Sequence, residues 1–138
     1  MQSRASNASS APAVLVIDDD AALLRSFENV LEAYGIPIAT ARNGPDGLAV
    51  FRWALPAVVL TDIIMPDLDG VSAIMEMRRE RPGVKIIAMS GSGRIGKSDF
   101  LTIAKKLGAD AVVYKPLNVV ELVMLIRTFL RAGGSQAS

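Results

Sequence analysis

The sequence predicts an α/β domain: a five-stranded parallel sheet, doubly wound, with five helices covering its two faces. Two observations carry this. Short runs that are apolar at nearly every position alternate five times with longer segments of helical periodicity, and such runs read as strands buried on both faces. The chain has 138 residues, 51% of them hydrophobic, enough for one ordinary core and too few for two. Right-handed crossovers then restrict the topology.

The elements follow in order. Residues 13–17 (Ala-Val-Leu-Val-Ile) read as the first strand, and residues 21–33 as a helix turning Leu23, Leu24, Phe27, Val30 and Leu31 inward. Gly35 suits the left-handed turn that ends it. Residues 36–40 form a weaker strand near a sheet edge, because Pro37 removes a ladder donor. Asn43-Gly44-Pro45 opens a second helix through Trp53. Residues 57–61 are the third strand and residues 70–80 the third helix, stopped at Arg81-Pro82-Gly83. Residues 84–89, 98–107, 111–114 and 118–131 complete the alternation as strand, helix, strand and helix. The last helix places Val119, Leu122, Val123, Ile126, Phe129 and Leu130 on one core stripe.

Composition removes much chemistry. The chain has no cysteine and no histidine, so disulfides, thiolate or imidazole metal sites and His-based triads are excluded. Fifteen basic against fourteen acidic side chains, a net charge of +1, argue against a nucleic-acid partner, which needs a basic stripe. No apolar run approaches the ~18 residues of a membrane span. The expectation is a cytoplasmic domain over residues 13–132, with flexible tails at 1–12 and 133–138.

In parallel sheets, ligands bind beyond the carboxyl ends of the strands. Those ends carry Asp18-Asp19-Asp20, Thr61-Asp62, Ser90-Gly91 and Lys115-Pro116. Gathered carboxylates repel unless a cation joins them, and all-oxygen ligands suit a hard ion such as magnesium. A lysine and a hydroxyl beside that ion suit a phosphoryl group, and a lone carboxylate aimed there can act as a nucleophile. Taken singly, each residue has a plainer use: Asp19 or Asp20 as a helix cap, Ser90 as loop chemistry, Lys115 as a surface lysine. No folding requirement accounts for the set.

Val-Ile-Asp18-Asp19-Asp20, Leu60-Thr-Asp62-Ile-Ile-Met65-Pro66-Asp-Leu-Asp69-Gly70, Ala88-Met-Ser90-Gly91, Gly108-Ala-Asp110 and Tyr114-Lys115-Pro116 stand in order over most of the chain. Together they resemble the receiver domains of two-component response regulators. The resemblance implies a flavodoxin-like sheet of order 2-1-3-4-5, which periodicity alone does not give. It implies a signalling phosphoacceptor rather than an enzyme, with a sensor histidine kinase or histidine phosphotransfer protein as phosphoryl donor. Asp62 would be the phosphoacceptor. Asp18, Asp19, Asp62 and the backbone carbonyl of Ile64 would hold Mg2+, while Lys115, Ser90 and Gly91 would contact the phosphoryl group. The Lys115–Pro116 bond would be cis. Ser90, Val112 and Tyr114 fall in the switch region. Many receivers carry an aromatic residue three before the lysine; here Val112 stands there, and the ring is Tyr114, beside Lys115.

Two other readings compete. Gly91-Ser-Gly-Arg-Ile-Gly96-Lys97-Ser98 matches the phosphate-binding loop GxxxxGK[ST], the mark of a nucleotide hydrolase. Such a loop normally begins its core, whereas only forty residues follow Ser98, and the match leaves Asp18, Asp19 and Asp62 unexplained. A small-molecule phosphatase working through an aspartyl phosphate would want a carboxylate two residues after the nucleophile, where Ile64 stands. The last helix adds Val120 and Met124 on its polar side and Leu125 off its stripe. These mark a surface for a downstream target or a homodimer near the fourth helix, fifth strand and fifth helix.

Overall fold

The computed structural model describes residues 11–63, 69–90 and 97–137, apart from the side chains of residues 69, 70, 97, 98 and 133–137. Along them run β1 (Val14–Ile17), α1 (Ala21–Ala33), β2 (Ile38–Ala41), α2 (Gly44–Ala54), β3 (Val58–Asp62) and α3 (Asp69–Glu80). Then follow β4 (Lys85–Ser90), α4 (Lys97–Leu107), β5 (Ala111–Tyr114) and α5 (Val119–Ala137). The five strands form one parallel sheet in the order β2-β1-β3-β4-β5. The predicted class and strand order both hold.

Strand alternation sorts the core into two layers. Leu15, Ile17, Val59, Ile86 and Ala88 pack with Phe51, Ile74, Met77, Phe100 and Ala104, so α2, α3 and α4 cover one face. Val14, Val16, Leu60, Ile87 and Met89 pack with Leu24, Phe27, Leu31, Leu122, Val123 and Ile126, so α1 and α5 cover the other. Each large side chain so buried contributes roughly 1.5–3 kcal/mol. The three inner strands need apolar residues on both faces, hence their unbroken apolar runs.

Local chemistry sets the ends. The Asp20 side chain caps α1, accepting from the N–H groups of Ala22 at 3.0 Å and Leu23 at 3.2 Å. At the other end Gly35 takes φ 75°, and the Ile36 N–H closes on the Leu31 carbonyl at 2.9 Å. Asn43 caps α2 through Asp46 N–H at 2.8 Å. Gly47 lets that helix lie against β1, since a Cβ there would overlap the buried Ile17 side chain.

Three expectations change. The second strand starts at Ile38 rather than residue 36; Pro37 has no N–H, and its carbonyl instead accepts from Ala13 at 2.9 Å and Val14 at 3.2 Å. Helix α5 continues to Ala137, past the end expected at Arg131 and across residues read as a tail. Extending a formed helix adds a hydrogen bond per residue, and glycine weakens it by only about 1 kcal/mol rather than breaking it. Val119, assigned to the core stripe, is 42% exposed, because it opens α5 a turn before Leu122, where the helix first reaches the sheet.

Candidate functional site

Register decides what meets at the carboxyl edge. Ile17 is level with Thr61 in the β1–β3 pair, so the next residues, Asp18 and Asp62, stand side by side. The Asp18 N–H extends the ladder to the Ala41 carbonyl at 3.1 Å. Asp62 is level with Met89, and Ser90 with Tyr114, so Ser90 stands one step beyond the carboxylates and Lys115 two.

Asp18 is fully buried and Asp62 is 5% exposed, while Asp19 is open to solvent. Carboxylate oxygens of Asp18, Asp19 and Asp62 lie within 4.8 Å of one another. The Asp20 N–H donates to Asp18 Oδ1 at 2.9 Å, leaving Oδ2 to accept from Lys115 Nζ at 2.6 Å. The same ammonium stands 3.3 Å from Asp62 Oδ2. Burial pulls the Lys115 pKa down, but the hydrogen bond to Asp18 and the charges of Asp62 and Asp18 outweigh it and hold the pKa above the ordinary lysine value.

Buried carboxylates need compensation. Three carboxylates against one ammonium leave two negative charges, which a divalent cation would balance. An all-oxygen set open on its Asp19 side fits a hard ion that keeps part of its water shell. Asp20, engaged as a cap, stands outside this cluster.

Ser90 ends β4 in a buried position, and Lys115 N–H donates to its carbonyl at 2.8 Å. The Lys115–Pro116 bond is cis, as the resemblance implies. Val112 and Tyr114 are both half-buried on the α4 side of β5. Ile64, Gly91 and the glycine-rich stretch through Gly96 lie outside the described residues. Val120 and Met124 are exposed on α5, at 59% and 63%. Leu125 departs from its expected place on that surface: it is half-buried against the α1–α5 core layer and lines a cleft of about 370 Å³ with Val113, Leu117 and Leu122.

Sequence reasoning did not single out two neighbours of the site. Arg42, just past β2, sets a guanidinium nitrogen 3.5 Å from the Asp19 carbonyl oxygen. Phe100 on α4 meets the Tyr114 ring edge-on. The helical spacing of Phe100, Ala104 and Leu107 marks Phe100 as inward-facing; nothing local to Arg42 marks it.

Among the described residues, no helix is long and apolar enough to cross a membrane. The family model described as "Response regulator receiver domain" matches residues 14–127. The "Probable transcriptional regulator ycf27" of Pyropia yezoensis is 39% identical over 118 residues, 86% of this chain and 47% of that protein. The "Transcriptional regulatory protein PrrA" of Mycobacterium tuberculosis is 35% identical over 127 residues, 92% of this chain and 53% of that protein. The chain thus spans about half the length of these curated relatives. A solved CheY-like receiver domain from Methanospirillum hungatei superposes with a TM-score of 0.81 at 29% identity, covering 92% of this chain and 99% of that one. The match runs through residues 91–98, and nothing in these comparisons supports the nucleotide-hydrolase reading of that stretch. With two acidic strand ends, a lysine and a cis proline meeting at one rim of a 2-1-3-4-5 sheet, the chain belongs to the response regulator receiver domain family.

Proposed function

We propose that Asp62 is the phosphoacceptor of this receiver, taking a phosphoryl group from a phosphohistidine on a sensor kinase or histidine phosphotransfer protein. The observation that carries the reading is the setting of Asp62: a buried carboxylate at the end of β3, with Asp18 and Asp19 oxygens within 4.8 Å and the Lys115 ammonium at 3.3 Å. A carboxylate oxygen of Asp62 attacks phosphorus, the P–N bond breaks, and its electron pair returns to the donor's imidazole. Such transfer needs in-line placement and charge neutralisation more than proton shuttling, so a site without histidine suffices.

Asp18, Asp19 and Asp62, with the Ile64 carbonyl, are the ligands we assign to Mg2+. When bound, that ion supplies charge neutralisation at the phosphoryl oxygens. Lys115 moves from its carboxylate partners to the phosphoryl oxygens, and Ser90 with the Gly91 backbone contributes hydrogen bonds. These contacts favour one of two arrangements of the segment after β4. The role is that of a signalling phosphoacceptor in the cytoplasm, as family membership, the balanced charge and the absence of cysteine support.

For output we assign the surface around α4, β5 and α5 to a downstream target or a second receiver, on the exposure of Val120 and Met124. We assign no nucleic-acid contact to this domain. Transcriptional control, named for the relatives, would need chain beyond the half they share with it.

Intact mass after incubation with acetyl phosphate and magnesium tests the assignment. The wild-type chain gains one phosphoryl group and Asp62→Asn gains none. An adduct that persists in Asp62→Asn refutes it.

A further inference from the structure

Among the described residues, four polar side chains are buried: Asp18, Thr61, Asp62 and Ser90. Three of them have a part in the phosphoryl transfer. Thr61, fully buried and immediately before Asp62 on β3, has none. Strand alternation turns it to the face covered by α2, α3 and α4, where its neighbours on either side, Val59 and Ile63, are apolar. A valine at this position would have nearly the same shape and suit a strand equally well, whereas a buried hydroxyl costs free energy unless it is hydrogen-bonded.

The hydrogen bond goes to the backbone of the phosphoacceptor: Thr61 Oγ1 donates to the Asp62 carbonyl at 3.1 Å. The sheet's own grip weakens at this point. The β1–β3 register ends at the pair Ile17–Thr61, and the Ile63 N–H reaches the Met89 carbonyl only at 3.4 Å, beyond the usual range of about 2.7–3.2 Å. The peptide unit between Asp62 and Ile63 is thus held at both ends, its carbonyl by Thr61 and its N–H by Met89. Holding that plane sets ψ of Asp62, and the backbone torsions select the rotamers open to its side chain.

We infer that Thr61 is a positioning residue for the phosphoacceptor: its buried hydroxyl locks the backbone of Asp62 and so aims the carboxylate at the incoming phosphorus. The inference rests on the proposed role of Asp62. Attack on phosphorus needs an in-line approach, and a displacement of about 1 Å can cost on the order of a hundredfold in rate. A neutral hydroxyl bonded to a backbone carbonyl adds no charge to the cluster. Thr61 therefore acts on where the Asp62 carboxylate stands and not on its electrostatics.

Phosphorylation time courses of the full chain with acetyl phosphate and saturating magnesium, read by intact mass, test it. Thr61→Val keeps the shape and removes the donor, and its phosphorylation is expected to slow by about tenfold or more. Thr61→Ser keeps the hydroxyl and is expected to stay close to the wild-type rate. Circular dichroism establishes that each variant is folded; should Thr61→Val fail to fold, Thr61→Ala set against Thr61→Ser gives the same contrast. A hydroxyl with a merely structural role would shift the thermal midpoint and leave the rate of the folded protein unchanged. A wild-type rate in folded Thr61→Val, or a Thr61→Ser as slow as Thr61→Val, overturns the inference and leaves Asp62 as phosphoacceptor. A phosphoryl adduct retained in Asp62→Asn overturns both.

Discussion

The ammonium of Lys115 lies closer to Asp18, at 2.6 Å, than to Asp62, at 3.3 Å. It is bonded to one of the oxygens a divalent cation would use, so lysine and cation compete electrostatically for the same carboxylates. A positive charge about 4 Å away costs a cation a few kcal/mol at an effective dielectric of ~20, reduced by the partial exposure of the lysine.

Lys115→Ala is therefore expected to bind Mg2+ about tenfold more tightly, equivalent to ~1.4 kcal/mol, while its phosphorylation by acetyl phosphate falls sharply. Calorimetric titration with magnesium, beside the intact-mass assay, checks both. Unchanged or weaker magnesium binding would show that the lysine does not oppose the cation.

The same pairing has an alkaline signature. The Lys115 pKa is raised in the folded chain, so between its unfolded and folded values the native state holds a proton that the unfolded state has lost. Its stabilisation is complete below the ordinary lysine pKa of about 10.4 and disappears as pH rises through the folded value. Denaturant melts in metal-free buffer from pH 9 upward should lose stability in wild type, and Lys115→Met should lack that component.

Away from the site, Arg78 on α3 binds four oxygens: the carbonyls of Pro82 and Val84 at 2.8 Å, of Gly108 at 2.6 Å, and Asp110 Oδ2 at 2.8 Å. Asp110 also accepts the Ile86 N–H at 2.8 Å. One guanidinium thus ties α3 to the entrances of β4 and β5. With both side chains about a quarter exposed, Arg78→Ala should cost about 2 kcal/mol, in the range of charge-assisted hydrogen bonds. A lower denaturant midpoint at constant slope is the expected reading, with Asp62 phosphorylation retained.

Leu55 caps the end of α2 with φ 52° and is 61% exposed. A branched residue in the left-handed region is strained, and little burial offsets that strain. Leu55→Gly should raise stability by about 0.5–1 kcal/mol despite glycine's greater unfolded-state entropy. A thermal midpoint that drops instead would mean that the Leu55 contacts outweigh the backbone strain.

Much of this was legible in residue order. Val14 to Ile17 and Val58 to Leu60 are apolar without a break because both faces of an inner strand are covered, and that pattern needs no knowledge of the partner strands. A residue following a parallel strand must stand at the carboxyl edge, so Asp18, Asp62, Ser90 and Lys115 could be assigned to one rim from strand ends alone. Helix limits were weaker. The end of α5 and the exposure of Val119 depend on how far a helix outruns the sheet beneath it, which periodicity does not record.

Periodicity reports which side of an element is apolar because it is a short-range property, repeated every two or every 3.6 residues. Hence strand and helix identity, and the carboxylates at the strand ends, follow from the chain itself. Pairing between distant segments belongs to the packed fold. The placement of β1 beside β3 makes neighbours of Asp18 and Asp62, the Asp20 side chain turns to α1 rather than to the cluster, and Lys115 divides itself between two carboxylates. Arg78 finds Asp110 across 32 residues, and Tyr114 finds Phe100 on a separate helix. Each depends on angstrom-scale distances between groups far apart in sequence, and only close packing of the whole sheet and its helices sets those distances.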